Sequence, residues 1–175
     1  VSIYDNKGKK MKGIFPKILM IIGMWWFTEY AYCIDIKAEI KGDTASVAKI
    51  QKVLPGVQKV INSEAFKARV LKAKYTTTKD SPEVIYQKIM ASKWDLDLRV
   101  ERHWLCRVKG WTNPGTKTIW FNSCGFAQRT DAGLAGTICH ETLHKIGYDH
   151  KNANDLMSVP YSIGNIVSEL YGKTN

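Results

Sequence analysis

Apolar and polar residues alternate over residues 34–40, with Ile34, Ile36, Ala38 and Ile40 on one side. That is the period of a half-buried strand. The pattern then changes. Gly42-Asp43-Thr44 supplies a turn and a helix cap, and Val47, Ile50, Val53, Leu54, Val57, Val60 and Ile61 recur at helical spacing. Pro55-Gly56 falls inside this helix and is expected to kink or divide it. Helix-forming residues continue over residues 64–74. Ser81-Pro82-Glu83 opens a further helix, with Ser81 as cap, Pro82 at the first helical position, and Val84, Ile85, Ile89 and Met90 turned inward. Residues 96–104 alternate again and read as a strand. Residues 111–115 hold Asn-Pro-Gly, a turn signal, and residues 116–122 read as a second good strand. A loop over 123–130 leads to a helix over 131–147, with Asp131 as its cap and Leu134, Ala135, Ile138 and Ile146 on its core side. Strands and helices mix, so the class is α/β or α+β.

The chain before residue 34 follows another logic. Residues 18–27 are ten apolar positions in a row, too few for a membrane-spanning helix, which needs about 20. Lys7, Lys9, Lys10, Lys12 and Lys17 precede them, and Ala31-Tyr32-Cys33 follows. Basic, apolar and small segments in that order describe a secretory signal. Val1 and Met11 are both candidate starts; Met11 stands just before this pattern and would make residues 1–10 an upstream extension. Residues 1–33 are therefore expected to be an extension plus signal peptide, and residues 34–175 a single domain. The protein is expected to be secreted or periplasmic, or anchored to the membrane if the segment is retained. Cys33 is not expected to carry a lipid, because no small residue precedes it and no Leu stands three before it.

Composition narrows the picture a little. A chain of 175 residues has room for one domain, and 45% hydrophobic with 24% charged residues excludes disorder throughout. Four cysteines are too few for a disulfide-dense miniprotein. Residues 1–33 hold five Lys and two acids, so without them the net charge falls from +10 to +7. Such a charge permits attraction to nucleic acid, anionic membranes or acidic substrates and singles out none. Nine Lys or Arg lie within residues 41–79, spread around the helices as a solvated face is, with a phosphate-binding stripe as the alternative. Of the cysteines beyond Cys33, Cys106 and Cys124 lie in or beside strand ends and are the favoured disulfide in an exported protein. Cys139, inside the last helix, reads as a small buried residue, and His103 as a polar or hydrogen-bonded strand residue.

The chemistry concentrates in residues 140–150, His-Glu-Thr-Leu-His-Lys-Ile-Gly-Tyr-Asp-His, which hold three of the four histidines. At about 100° per residue, His140 and His144 stand about 40° apart, one turn up the same helix face. Two imidazoles so placed can share a metal ion. Glu141 lies one step round, within reach of water at that ion without being a ligand. Gly147 suits the left-handed turn that would bring His150 back as a third ligand. Three neutral nitrogens with a free fourth position describe a catalytic zinc site, whereas structural sites are closed by four protein ligands. At ordinary residue frequencies the five-residue pattern arises by chance in on the order of one in 10⁵ chains of this length.

His140, Glu141, His144, Gly147 and His150 match every fixed position of the metzincin zinc-protease signature, and the chain resembles that family. Ser158-Val159-Pro160-Tyr161-Ser162-Ile163-Gly164, Trp94-Asp95-Leu96-Asp97-Leu98 and Thr118–Asn122 are similar to segments of small exported bacterial metzincin-like proteins. The resemblance spans roughly residues 94–167. It implies a zincin-like α+β fold: a twisted mixed sheet with a backing helix, an active-site helix, and a small C-terminal subdomain after Gly147. It implies one zinc ion on His140, His144 and His150, with Glu141 as the general base that takes a proton from water and passes it to the leaving amine. The substrate would be a protein or peptide lying antiparallel to an edge strand, for which residues 116–122 are the candidate, unless Trp120 and Phe121 simply pack the two sheet faces. Met157 is the candidate methionine turn. Some metzincins carry a Tyr two residues after that Met; here Val159 stands there, and Tyr161 follows at four, to approach the metal, line the pocket or pack the turn. The stretch after residue 33 is short and shows no motif for a cysteine latch on the metal, so no pro-domain is expected; nor is nucleic acid, and the protein is expected to be a monomer that meets the membrane only through its N-terminal segment. Two other readings compete. One is an exported basic module that binds polyanions through residues 41–79. The other is a zinc hydrolase acting on a non-peptide amide, for which the water chemistry would be the same.

Overall fold

Four helices are each started by the side chain of the residue before them. Asp43, Ser63 and Thr130 accept hydrogen bonds from the amides of Ser46, Phe66 and Gly133 at 3.0, 3.1 and 3.0 Å, and Ser81 accepts from Val84 at 3.4 Å. Each cap satisfies an amide that the first helical turn leaves bare. In the computed structural model, which describes residues 33–113, 115–152 and 155–174, these caps open α1 (Thr44–Ile61), α2 (Glu64–Lys72), α4 (Asp131–Lys145) and α3 (Pro82–Ala91). The strands are β1 (Ile36–Lys41), β2 (Trp94–Glu101), β3 (Gly110–Thr112) and β4 (Thr118–Asn122), and α5 (Val159–Thr174) is the last element.

The class is α+β, with a four-stranded mixed sheet in the order β1-β2-β4-β3. β1, β2 and β4 run parallel, and β3 pairs antiparallel with β4. One face is apolar: Trp94, Leu96, Leu98 and Val100 of β2 and Ile119 and Phe121 of β4 are buried. α1 packs over β1 and against α4, and α4 covers β3 and β4. Ile50, Val53, Val57, Val60 and Ile61 of α1 complete this core, each worth about 1.5–3 kcal/mol of burial. The opposite face is polar. There Asp97, 6% exposed, accepts hydrogen bonds from Arg99 and from Thr118 Oγ1 (2.8 Å), and Trp111 stacks on Trp120 with ring centroids 6.0 Å apart. α5 crosses α4 so closely that a Cβ on Gly136 would stand 2.6 Å from the Gly164 carbonyl oxygen.

Several expectations change. α1 runs unbroken through Pro55-Gly56, and Gly56 is where the Tyr171 ring of α5 packs, 2.3 Å from where a Cβ would be. The cap of α4 is Thr130; Asp131 is its first residue and pairs with Lys52 at 2.8 Å. β2 stops at Glu101, leaving Trp104 82% exposed beyond it, and Val84 points outward from α3. Ile146 is the C-cap of α4 and only partly buried. Among the described residues no separate C-terminal subdomain follows Gly147: Ile163, Val167 and Tyr171 of α5 join the same core as α1 and the sheet. The basic-apolar segment, Met11 and Ala31-Tyr32 lie outside the described residues, and Cys33 is exposed. Among the described residues no helix is long and apolar enough to cross a membrane.

Candidate metal centre

α4 ends in a turn that redirects the chain toward its own histidines. Gly147 adopts φ +94°, its amide donates to the His144 carbonyl, and the Tyr148 amide reaches back to the Leu143 carbonyl at 3.0 Å. This pair of bonds with a left-handed glycine is the Schellman ending, which a side chain at position 147 would strain. The segment after it is held by the connection between α2 and α3. Thr77 Oγ1 donates to the Asp149 carbonyl at 2.9 Å, the Thr76 amide to the Met157 carbonyl at 2.9 Å, and the Tyr148 hydroxyl to Asp80 at 2.8 Å. Asp80 in turn is ion-paired with Lys88. His150 is thereby fixed beside α4.

One ligand atom from each of His140, His144 and His150 lies within 4.8 Å of the others, close enough to hold a metal ion. His144 Nδ1 donates to the Tyr148 carbonyl at 2.9 Å. That partner leaves the His144 lone pair on Nε2, which faces His140 Nε2 at 3.2 Å. Tetrahedral zinc with bonds of 2.0–2.1 Å sets its nitrogens about 3.3 Å apart. His150 Nδ1 is buried without a hydrogen-bond partner. Burial, then the neighbouring histidines, push the His140 pKa down to about 3, and burial lowers that of His144, so both rings are neutral at pH 7.

Glu141 points from the same helix into the adjacent cleft. Burial raises its pKa to about 7, against an opposing pull from the Arg129 guanidinium. A Cβ at Gly110 would stand 3.2 Å from Glu141 Oε1, a tight contact that glycine avoids. Two hollows, of about 550 and 680 Å³, meet at Gly110, Glu141 and His150. Trp111 and Tyr148 wall the smaller, and Tyr161 and Thr137 the larger.

The strand that borders this cleft is β3. β4, the candidate from sequence, is paired on both sides and has no free edge. The Asn122 amide bonds to the Lys109 carbonyl at 3.0 Å, and Trp111 lies opposite Trp120. By the alternation of antiparallel pairs, the amides and carbonyls of Gly110 and Thr112 then face away from β4. Three residues are too short to show a period, and the Asn-Pro-Gly turn drew attention from them. The signal that could have found them is the hairpin itself: an aromatic and a β-branched residue, a turn, then a strand.

The other expected residues fall as follows. Met157 is 49% exposed and acts through its carbonyl, so its side chain is no buried floor for the histidines. Tyr161 packs its ring 4.5 Å from that of His140 and 4.8 Å from that of His150. Cys106 and Cys124 form a disulfide, Cys139 is buried and free, and His103 Nδ1 accepts from the Leu105 amide at 3.0 Å. Within the basic stretch, Lys49 binds the carbonyls of the loop at 126–129, while Lys52 and Arg69 pair with Asp131 and Glu169. No protein-family model, no curated protein and no solved structure matches this chain.

Proposed function

We propose that the protein is a zinc-dependent endopeptidase of metzincin type. The observation that carries this reading is the meeting, in one cleft, of three imidazoles, a buried glutamate one step round the helix and a free strand edge. His140, His144 and His150 would hold the metal, and three imidazole nitrogens suit zinc. A zinc ion there supplies Lewis acidity, which acidifies water and polarises a carbonyl. Glu141 takes the proton of the attacking water and returns it to the leaving amine. The outward backbone groups of Gly110 and Thr112 pair with the main chain of an extended substrate. Hollows on both sides of Glu141 let that chain continue past the bond in either direction, which favours cleavage within a chain over removal of end residues. Export belongs to the same reading, and the Cys106–Cys124 bond suits an oxidising compartment.

The experiment is peptide-library cleavage by the zinc-loaded full chain, read by mass spectrometry beside Glu141→Gln. Cleavage by the unmutated protein alone, abolished by a chelator, is the expected result. A folded, zinc-loaded protein that cleaves no peptide but hydrolyses small amides would replace the peptidase with the non-peptide hydrolase. Tight, salt-sensitive polyanion binding that survives zinc removal, without hydrolysis, would replace it with the binding module.

A further inference from the structure

The two hollows that meet at Glu141 differ in charge. The larger carries Arg107 and Lys109 on its rim and no carboxylate beyond Glu141. The smaller carries Asp149, whose side chain is 88% exposed, and no lysine or arginine. Among the described residues neither Arg107 nor Lys109 enters an ion pair, and both are exposed. Their backbone is tethered at several points. The disulfide holds Cys106 next to Arg107, and Asn122 Nδ2 donates to the Val108 carbonyl at 3.0 Å. Asn122 N and the Arg129 guanidinium both donate to the Lys109 carbonyl. A rim held this way loses little freedom when it binds. The floor beneath it is built of Gly133, Gly136, Gly164 and Ser168, so a long side chain has room to enter.

The strand gives the direction. A peptide antiparallel to β3 runs from the Thr112 end toward the Lys109 end. Its residues before the cleaved bond lie on the Asp149 side, and those after it on the Arg107 and Lys109 side. Building on the endopeptidase reading, we propose that the cleft selects peptides with an acidic side chain just C-terminal to the cleaved bond, bound by Arg107 and Lys109, and disfavours acids on the N-terminal side, where Asp149 faces them. Complementary charge of this kind fixes register as well as affinity.

The test uses matched peptides that carry Glu, Gln or Lys one or two residues after the cleaved bond, or before it. Each is assayed with the zinc-loaded full chain and, for binding alone, with Glu141→Gln by fluorescence anisotropy. The expected result is an advantage of about tenfold or more for Glu over Gln after the bond, with none before it, shrinking as salt rises. Arg107→Glu with Lys109→Glu should invert the preference toward Lys. The milder Arg107→Gln with Lys109→Gln should bring the Glu-to-Gln ratio to about one, the within-protein ratio being insensitive to the amount of folded enzyme. Cleavage without acid preference, or a preference that survives both double variants, overturns this inference and leaves the peptidase reading standing. Absence of cleavage of every peptide overturns both.

Discussion

Glu141 and His144 sit one turn apart on α4, yet a substitution at each should read out differently. Glu141→Gln removes the proton acceptor and keeps the shape, so the protein should retain about one equivalent of zinc while turnover falls by about 10²–10⁴. His144→Ala removes a candidate ligand and the hydrogen bond that ties α4 to the Tyr148 carbonyl, so zinc and turnover should be lost together. Metal content by mass spectrometry and peptide turnover on the same samples separate the two outcomes. The residues of this group were legible in sequence because their relation is local. A helical period places His140, Glu141 and His144, and a glycine three residues on places His150. Tyr161 was not legible in the same way. Its ring reaches His140 only because α5 crosses α4 at Gly136 and Gly164, and no spacing along the chain encodes that crossing. Met157 failed for the complementary reason. Its distance from His150 suits a methionine turn, but Thr76 captures its carbonyl and the side chain remains exposed.

Among the elements, the caps made the helices readable. Asp43 and Ser81 announce α1 and α3 because an oxygen three residues ahead of a bare amide is a short-range fact. Strand position is not short-range. Nothing between Thr118 and Asn122 states whether a neighbour lies on one side or two, and β4 proved to be interior while three residues of β3 form the edge. The α4–α5 contact gives a sharp test. The obstruction to a side chain at Gly136 is the Gly164 carbonyl, a backbone atom that cannot rotate aside. Gly136→Ala should cost about 1–3 kcal/mol, read as a lower urea midpoint with an unchanged slope. β2 supplies a pH test. The Arg99 guanidinium, against the cost of burial and with help from Thr118, holds the Asp97 pKa below its ordinary 3.8. A carboxylate with a depressed folded pKa adds stability that is present above its unfolded pKa, and that stability is lost as pH falls through the folded value. Thermal melts from pH 7 down to about 2 should therefore show a steep acid limb below about pH 4. Asp97→Asn should lower the melting temperature at pH 7 and flatten that limb.

At the scale of the whole molecule, the candidate metal centre joins parts that the fold otherwise links through a few hydrogen bonds. His140 and His144 belong to α4, whereas His150 belongs to the segment clamped by Thr76 and Thr77. A ligand that binds only the folded state stabilises it by about 2.7 kcal/mol at one hundred times its dissociation constant. Zinc should therefore raise the melting temperature of the full chain and a chelator should reverse the rise, while His150→Ala should shrink the response. Scanning calorimetry with and without zinc measures this independently of any peptide. The β3 edge bears on what the molecule can touch, itself included. Three residues of strand measure about 10 Å, so they engage only a few residues of another chain. A partner must arrive extended there, as a terminus, a loose loop, a locally opened segment or another short edge strand does. The same brevity denies another copy of this chain the long row of unpaired groups from which sheets propagate into aggregates. On the proposed reading, a free edge this short is a checkpoint on the conformation of the guest and a safeguard for its host.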